Sequence, residues 1–416
     1  MATVEKRVLE VTADAKEAGF DGARLRRIDA HFRRYVDDGR LPGWQVLVSR
    51  RGEIVHLSEY GLRDKESSEP VERDTIFRIY SMTKPITSVA AMMLYEEGAF
   101  ELSTPVSRFI PTFDAARVYV RGSSQKPFTE PVAEPIRIWH LLTHTSGLTY
   151  GFHHAHACDE AYRAAGYEWS SPPGVDLAAA CETWARLPLM FHPGREWNYS
   201  VATDVLGRVV EIVSGQSLDR FFADRIFAPL GMVDTGFWVP DAEQGRLAAL
   251  YALAPGAASP IRFDVLGDIA LRRPDLLSGG GGLVSTIADY HRFAQMLLNR
   301  GVLDGQRLLS GRTVDYMSLN HLPGGGDLET VGRPLFAETT YHGVGFGLGV
   351  SVLMNPVANK TLGSAGEIAW GGAASTAFWV DPKEEIVVIF MTQLLPSSTH
   401  PLRSELRQLL YQALVD

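Results

Sequence analysis

The stretch Ser81-Met82-Thr83-Lys84-Pro85-Ile86-Thr87-Ser88-Val89-Ala90-Ala91-Met92-Met93-Leu94 joins a Ser-x-x-Lys spacing to an apolar period. Ile86, Val89, Ala90, Met93 and Leu94 recur at helical spacing until Gly98, which predicts a helix starting at or near Ser81. Pro85 falls within the first turn, where it is tolerated. Residues three apart on a helix share a face, with Cβ atoms about 5–6 Å apart. The Lys84 amine can therefore reach the Ser81 oxygen. A helix N-terminus carries roughly half a positive charge. It favours an oxyanion beside Ser81 and disfavours the proton on Lys84, and burial acts on the lysine in the same direction. A neutral lysine can then act as base toward a serine nucleophile. The plainer alternative is a serine N-cap followed by a surface lysine. A second match, Ser123-Ser124-Gln125-Lys126, has no helical period behind it and reads as a solvated loop.

Outward from this stretch, the two chain ends mirror each other. Residues 21–38 carry Leu25, Ile28, Phe32, Tyr35 and Val36 at helical spacing. Residues 44–49 and 53–57 form a hairpin pattern joined at Arg50-Arg51-Gly52. Near the C-terminus, residues 346–354, 373–380 and 385–393 are strand-like, with a turn at Asp381-Pro382-Lys383. Residues 402–415 close the chain as a helix. Gly343, Gly345, Gly347 and Gly349 alternate, which places them on one face of a closely packed strand. The simplest architecture is α+β, an antiparallel sheet built from both chain ends and flanked by the terminal helices. Residues 1–100 and 281–416 would form this discontinuous α/β sheet domain. Residues 101–280 would be an inserted, mainly helical domain. Within the insert, residues 203–214 read as a helix ending at Gly215, and 121–135 and 251–276 as long surface loops.

The composition excludes several classes. Forty basic against 49 acidic residues give a net charge of −9, which argues against a nucleic-acid-binding surface. Cys158 and Cys181 are too few for a disulfide framework or a four-cysteine zinc site. No apolar stretch is long enough to cross a membrane. Residues 1–20 lack the apolar core of a signal peptide, so a cytoplasmic protein without membrane or nucleic-acid partners is expected.

Two further segments carry chemistry. Tyr199 follows the Pro193-Gly194 turn and precedes the 203–214 helix; a phenol near an ammonium can have a lowered pKa and shuttle protons. Its plainer reading is a half-buried tyrosine with one satisfied hydroxyl. Trp370-Gly371-Gly372-Ala373 leads into a strand, and paired glycines there allow close approach of a ligand or backbone. Backbone N–H groups at that point could complete an oxyanion hole; the alternative is a β-bulge or turn. No Gly-x-Ser-x-Gly elbow occurs. His140 and His144 have zinc-like spacing, but Leu141 stands where a glutamate is needed, and they read as structural. His153, His154, His156 and Cys158 are close in sequence but lack a second ligand pair, and read as a loop rimming a pocket.

Taken in order, Ser-x-x-Lys, Tyr199-Ser200 and Trp370-Gly371-Gly372 resemble the family VIII carboxylesterases. These belong to the serine β-lactamase and penicillin-binding-protein superfamily and are similar to class C β-lactamases. Residues 138–148, which include Leu-Leu-Thr-His-Thr-Ser-Gly-Leu, are similar to a family segment. So are Pro229-Leu230-Gly231-Met232-Val233-Asp234-Thr235 and the glycine-rich run at 278–286. The resemblance spans residues 20–415 and implies a β-lactamase-like fold. It implies Ser81 as nucleophile, Lys84 and Tyr199 as proton shuttle, and the N–H groups of Ser81 and Ala373 as oxyanion hole, with no metal or cofactor. Tyr80, Phe152, Trp197, Trp370, Gly371 and Gly372 flank these motifs and are expected to line the pocket. Two departures bear on the substrate. Tyr199-Ser200-Val201 lacks the asparagine of the β-lactamase Tyr-x-Asn, and Trp370 replaces the lysine of Lys-Thr-Gly. Losing that cation and gaining an apolar wall favours small or short-chain uncharged esters. The expected activity is a serine carboxylesterase acting on a small-molecule ester. Alternatives on the same site are an acyltransferase, a weak β-lactamase or a D-amino-acid peptidase. From other classes come a non-catalytic binder and a zinc protein built on the His cluster.

Overall fold

A computed structural model of the chain describes residues 9–333 and 340–415. Its centre is an eight-stranded antiparallel sheet drawn from both ends of the sequence. The strands are β1 (Gly43–Arg50), β2 (Glu53–Asp64), β3 (Glu69–Pro70), β4 (Val344–Phe346), β5 (Ser351–Leu353), β6 (Ile368–Gly371), β7 (Ala377–Asp381) and β8 (Ile386–Met391). Their order is β4-β5-β6-β7-β8-β1-β2-β3. The N-terminal hairpin joins the C-terminal meander through β1 and β8, with Leu47 opposite Ile389.

Strand alternation divides the core. Val46, Val48, Trp379, Val388 and Phe390 face one side, where they pack with Phe32 and Leu406. Those two belong to α1 (Arg27–Asp37) and to the last helix, Leu402–Tyr411. Leu47, Phe378, Val380, Val387, Ile389 and Met391 face the other side. Because both faces are covered, the central strands are apolar throughout instead of alternating with polar residues. On the second side lie α2 (Thr83–Glu96), α3 (Ala202–Ser214) and α4 (Ile287–Leu298), and the last helix is α5. The same buried cluster runs from the sheet through α2 and α3 to Leu141, Tyr162 and Trp184 of the helical region. Gly215 ends α3 with φ 69°, a conformation that favours glycine.

Four expectations need correction. Residues 346–354 are not one strand: β4 and β5 are separate, and Gly347 N–H donates to Val350 O (2.8 Å) in the turn between them. Gly349 sits in that turn with φ 95°, so the alternating glycines straddle a hairpin and do not share one strand face. Residues 121–135 are not simply a loop, because Arg117–Gly122 pairs with Pro127–Pro131 around an exposed turn at Ser123–Lys126. In the 251–276 segment, Tyr251–Ala252 pairs with Leu394–Leu395 and with Ile261–Arg262. Such short ladders depend on a distant or weakly patterned partner, which local composition does not reveal. Among the described residues no helix is long and apolar enough to cross a membrane.

Candidate active site

The strand Phe77–Arg78 pairs with Val284–Ser285, fixing the chain just before Ser81. Tyr80–Met82 forms one tight helical turn, and α2 follows at Thr83. Tyr80 adopts φ 42°, an uncommon conformation for a residue with a side chain. Strain of this kind tends to sit at functional turns. The Ser81–Lys84 spacing closes as the helical geometry requires: Lys84 Nζ donates to Ser81 Oγ (3.2 Å). Nζ also donates to Tyr150 Oη (3.1 Å) and Gly280 O (2.7 Å). Lys84 is 1% exposed. Burial pushes its pKa down to about 7, and the nearby Asp204 carboxylate opposes that shift. A lysine in this state can both give and accept a proton near neutral pH.

Tyr199 lies on the loop before α3, and its ring centroid is 4.3 Å from Lys84 Nζ. Its hydroxyl accepts a hydrogen bond from Trp370 Nε1 (3.4 Å). The expectation of a lowered pKa does not hold. Burial raises the phenol above its ordinary value, and the hydrogen bonds from Ser81 and Trp370 offset this only in part. Tyr199 is therefore a protonated phenol that can donate to a departing oxygen. Tyr150 is also pushed well up, by burial first and then by Asp204 and Tyr199.

Asp204, in the first turn of α3, is the buried counter-charge behind Lys84. Burial raises its pKa, opposed first by Lys84. Its Oδ1 accepts from Ser278 Oγ (2.5 Å) and Gly280 N–H (3.0 Å). A Cβ on Gly280 would stand 2.5 Å from Asp204 Oδ2. The glycine-rich run thus lets backbone reach Asp204 on one side and offer a carbonyl to Lys84 on the other.

These groups open onto a cavity of about 1370 Å³. Tyr80, Ser81, Phe152, Tyr199, Trp370, Gly371, Gly372 and Ala373 border it. Trp197 does not. It is fully buried behind Tyr199, packed with Leu322, Leu328 and Phe346, and its backbone N–H donates to Val331 O (2.8 Å). Its place is to support the Tyr199 ring (centroids 6.2 Å apart). Sequence reasoning missed Tyr150, Asp204 and Trp169. Tyr150 follows the 138–148 segment by two residues, and Asp204 is a carboxylate beside Thr203 at the start of a largely apolar helix; both were signals. Trp169 extends a ladder of stacked rings outward from Tyr150 through Phe152, with centroids 4.5 and 4.6 Å apart.

The histidines surround this centre, with His144 and His153 packed on its tyrosines. His144 is buried against Tyr199 and hydrogen-bonds Ser200 Oγ (3.2 Å). His154 pairs with Glu168 (2.7 Å), His153 contacts Thr149 (3.3 Å), and His156 accepts from Cys158 N–H (3.1 Å). Among the described residues no three His, Cys, Asp or Glu side chains are grouped to share a metal ion.

A family model, Beta-lactamase, matches residues 28–412. The chain is 32% identical over 424 residues to "Esterase EstB" of Burkholderia gladioli, covering 97% of this chain and 98% of that one. It is 30% identical over 400 residues to "Lovastatin esterase" of Penicillium rubens, covering 92% and 96%. Among solved structures, "EstCE1, a hydrolase with promiscuous acyltransferase activity" aligns with a TM-score of 0.79 and 28% identity, covering 94% of this chain and 99% of that one.

Proposed function

We infer the activity of this chain from one premise: it belongs to the beta-lactamase family and is a serine hydrolase. We read it as a carboxylesterase for short-chain or small uncharged esters. The observation that carries this reading is the Lys84 amine, buried, pushed down to about 7 and 3.2 Å from Ser81 Oγ. Neutral Lys84 takes the Ser81 proton as Oγ attacks the ester carbonyl. The backbone N–H groups of Ser81 and Ala373 hold the resulting oxyanion; loss of one such donor costs on the order of 10²–10³ in rate. Tyr199, kept protonated by burial, donates to the leaving alcohol and is reprotonated from Lys84. Water then attacks the acyl-enzyme, giving its proton back through the same pair and freeing Ser81. Trp370, where β-lactamases carry a lysine, makes that wall apolar and disfavours an anionic leaving portion.

A second reading is acyl transfer, in which an alcohol replaces water in the last step. It is favoured by the size of the cavity, about 1370 Å³, above the roughly 300–1,000 Å³ usual for one small ligand.

The test compares p-nitrophenyl acetate and butyrate with a chromogenic cephalosporin, using wild type, Ser81→Ala, Lys84→Ala and Tyr199→Phe. Ser81→Ala should lose at least about 10³-fold in kcat for the esters. Full esterase activity in Ser81→Ala would overturn the reading, and a higher kcat/KM on the cephalosporin would replace esterase by β-lactamase. Because the deprotonated lysine is the active form, kcat/KM should rise with pH through about 7. Adding a primary alcohol and measuring ester against acid product separates transfer from hydrolysis.

A further inference from the structure

The segment that follows Trp370 makes a tight turn. Gly372 N–H donates to Thr376 O (2.9 Å), and Ser375 N–H donates to Gly372 O (3.1 Å). A residue from the far end of the chain closes this turn. Arg403, in the first turn of α5, donates from Nη2 to Gly372 O (3.2 Å) and to Thr376 O (3.1 Å). A Cβ at Gly371 would collide with this guanidinium, and one at Gly372 would collide with Thr376 and crowd Ile79 O. The first glycine therefore admits the arginine, and the second admits the turn itself.

The Gly372 carbonyl and the Ala373 N–H belong to one peptide plane and point in opposite directions. Arg403 borders the same cavity as Ser81 and Ala373, and a carbonyl held on its guanidinium leaves the Ala373 N–H pointing the other way, free of that contact. A charged donor on the carbonyl oxygen does more than orient. It draws density from the amide and makes its N–H a stronger donor. Ser375 N–H alone supplies orientation without the charge. The guanidinium is also near enough to Tyr199 to oppose the effect of burial on that phenol.

We propose that Arg403 is a positioning residue of the oxyanion site, holding and polarising the Gly372–Ala373 peptide so that Ala373 N–H meets the negative oxygen formed on the ester carbonyl. This inference rests on the acyl-enzyme reading above. Arg403 touches no reacting atom and changes no proton count. Its action is on the transition state through one peptide unit, and the Trp-Gly-Gly-Ala motif is the fitting that allows it.

The experiment uses the full chain with p-nitrophenyl butyrate and the matching thionobutyrate, whose sulfur is a weak hydrogen-bond acceptor. Arg403→Met should lower kcat for the oxoester by about 10–100-fold while KM stays within about twofold. The thionoester should lose much less, so that the oxo-to-thiono ratio falls. Arg403→Lys should fall between Met and wild type, and added ethylguanidinium should restore part of the kcat of Arg403→Ala. Gly371→Ala, which displaces the guanidinium, should show the same fall in ratio, and adding Arg403→Met to it should cost little more. If Arg403→Met does not fold, Gly371→Ala supplies the comparison. An unchanged oxoester kcat in the folded variants, or equal losses on the two esters, overturns the proposal. Ser81→Ala keeps the two readings distinguishable. Full activity in Ser81→Ala overturns the acyl-enzyme, whereas its loss beside an unaffected Arg403→Met overturns only the role of Arg403.

Discussion

Under the proposed mechanism, Lys84 sets catalytic use against stability within one residue. Its pKa falls from the ordinary 10.5 to about 7 because burial penalises the ammonium. At about 1.36 kcal/mol per unit, that shift amounts to a few kcal/mol of folding free energy. The sign follows from linkage. Below about 7 both folded and unfolded chains carry the proton, and the folded state bears the full penalty. Between 7 and 10.5 only the unfolded chain holds it, so stability recovers as pH rises. Lys84→Met should therefore melt several degrees above wild type at pH 7, with the gap narrowing toward pH 10, while esterase activity is lost. Scanning calorimetry across that range checks it, and a gap independent of pH would show that the buried charge is not its cause. The Ser81–Lys84 contact was legible because helix geometry fixes neighbours three residues apart. The contacts to Tyr150 and Gly280 span 66 and 196 residues. No local periodicity encodes them.

At the scale of elements, the terminal helices were legible from their period and the central strands from unbroken apolar runs. Buried on both faces, β7 and β8 read as continuous apolar runs, and Gly215 marked the end of α3. The β4–β5 hairpin was not legible, since its turn, residues 347–350, is as apolar as the strands and merges them into one run. Gly349 holds that turn with φ 95°, and a Cβ there would collide with Ser88 of α2. Gly349→Ala should cost about 1–3 kcal/mol through overpacking, with a further cost for the left-handed backbone. A urea midpoint lowered without a change in slope is the expected result. Because Ser88 is one helical turn beyond Lys84, kcat should fall as well. A variant as stable and active as wild type would show that the hairpin does not press on α2.

For the whole molecule, α5 is tied to the sheet by a buried polar cluster. Arg407 of α5 is ion-paired with Glu367, which is 1% exposed. The Tyr411 hydroxyl lies between Glu367 (3.0 Å) and Asp381 (2.8 Å), and the two carboxylates share its single proton. Removing one partner of a buried pair strands the other charge, at about 3–5 kcal/mol. Arg407→Met should lower stability by that order at pH 7. Burial already raises the Glu367 pKa and Arg407 opposes that rise, so without Arg407 the carboxyl takes up a proton more readily. The deficit should shrink toward pH 5, as protonation removes the stranded charge, and chemical denaturation at the two pH values measures it. The sequence by itself determined the Ser81–Lys84 spacing, the apolar strands and helices, and the resemblance of their order, because these are written in local periodicity and short motifs. Tertiary structure alone decided that Asp204 and Gly280 flank Lys84, that Trp197 lies behind the pocket, and that Arg403 reaches the Gly372 turn. Those relations join residues separated by many elements, and only burial of a shared core brings them within hydrogen-bond distance.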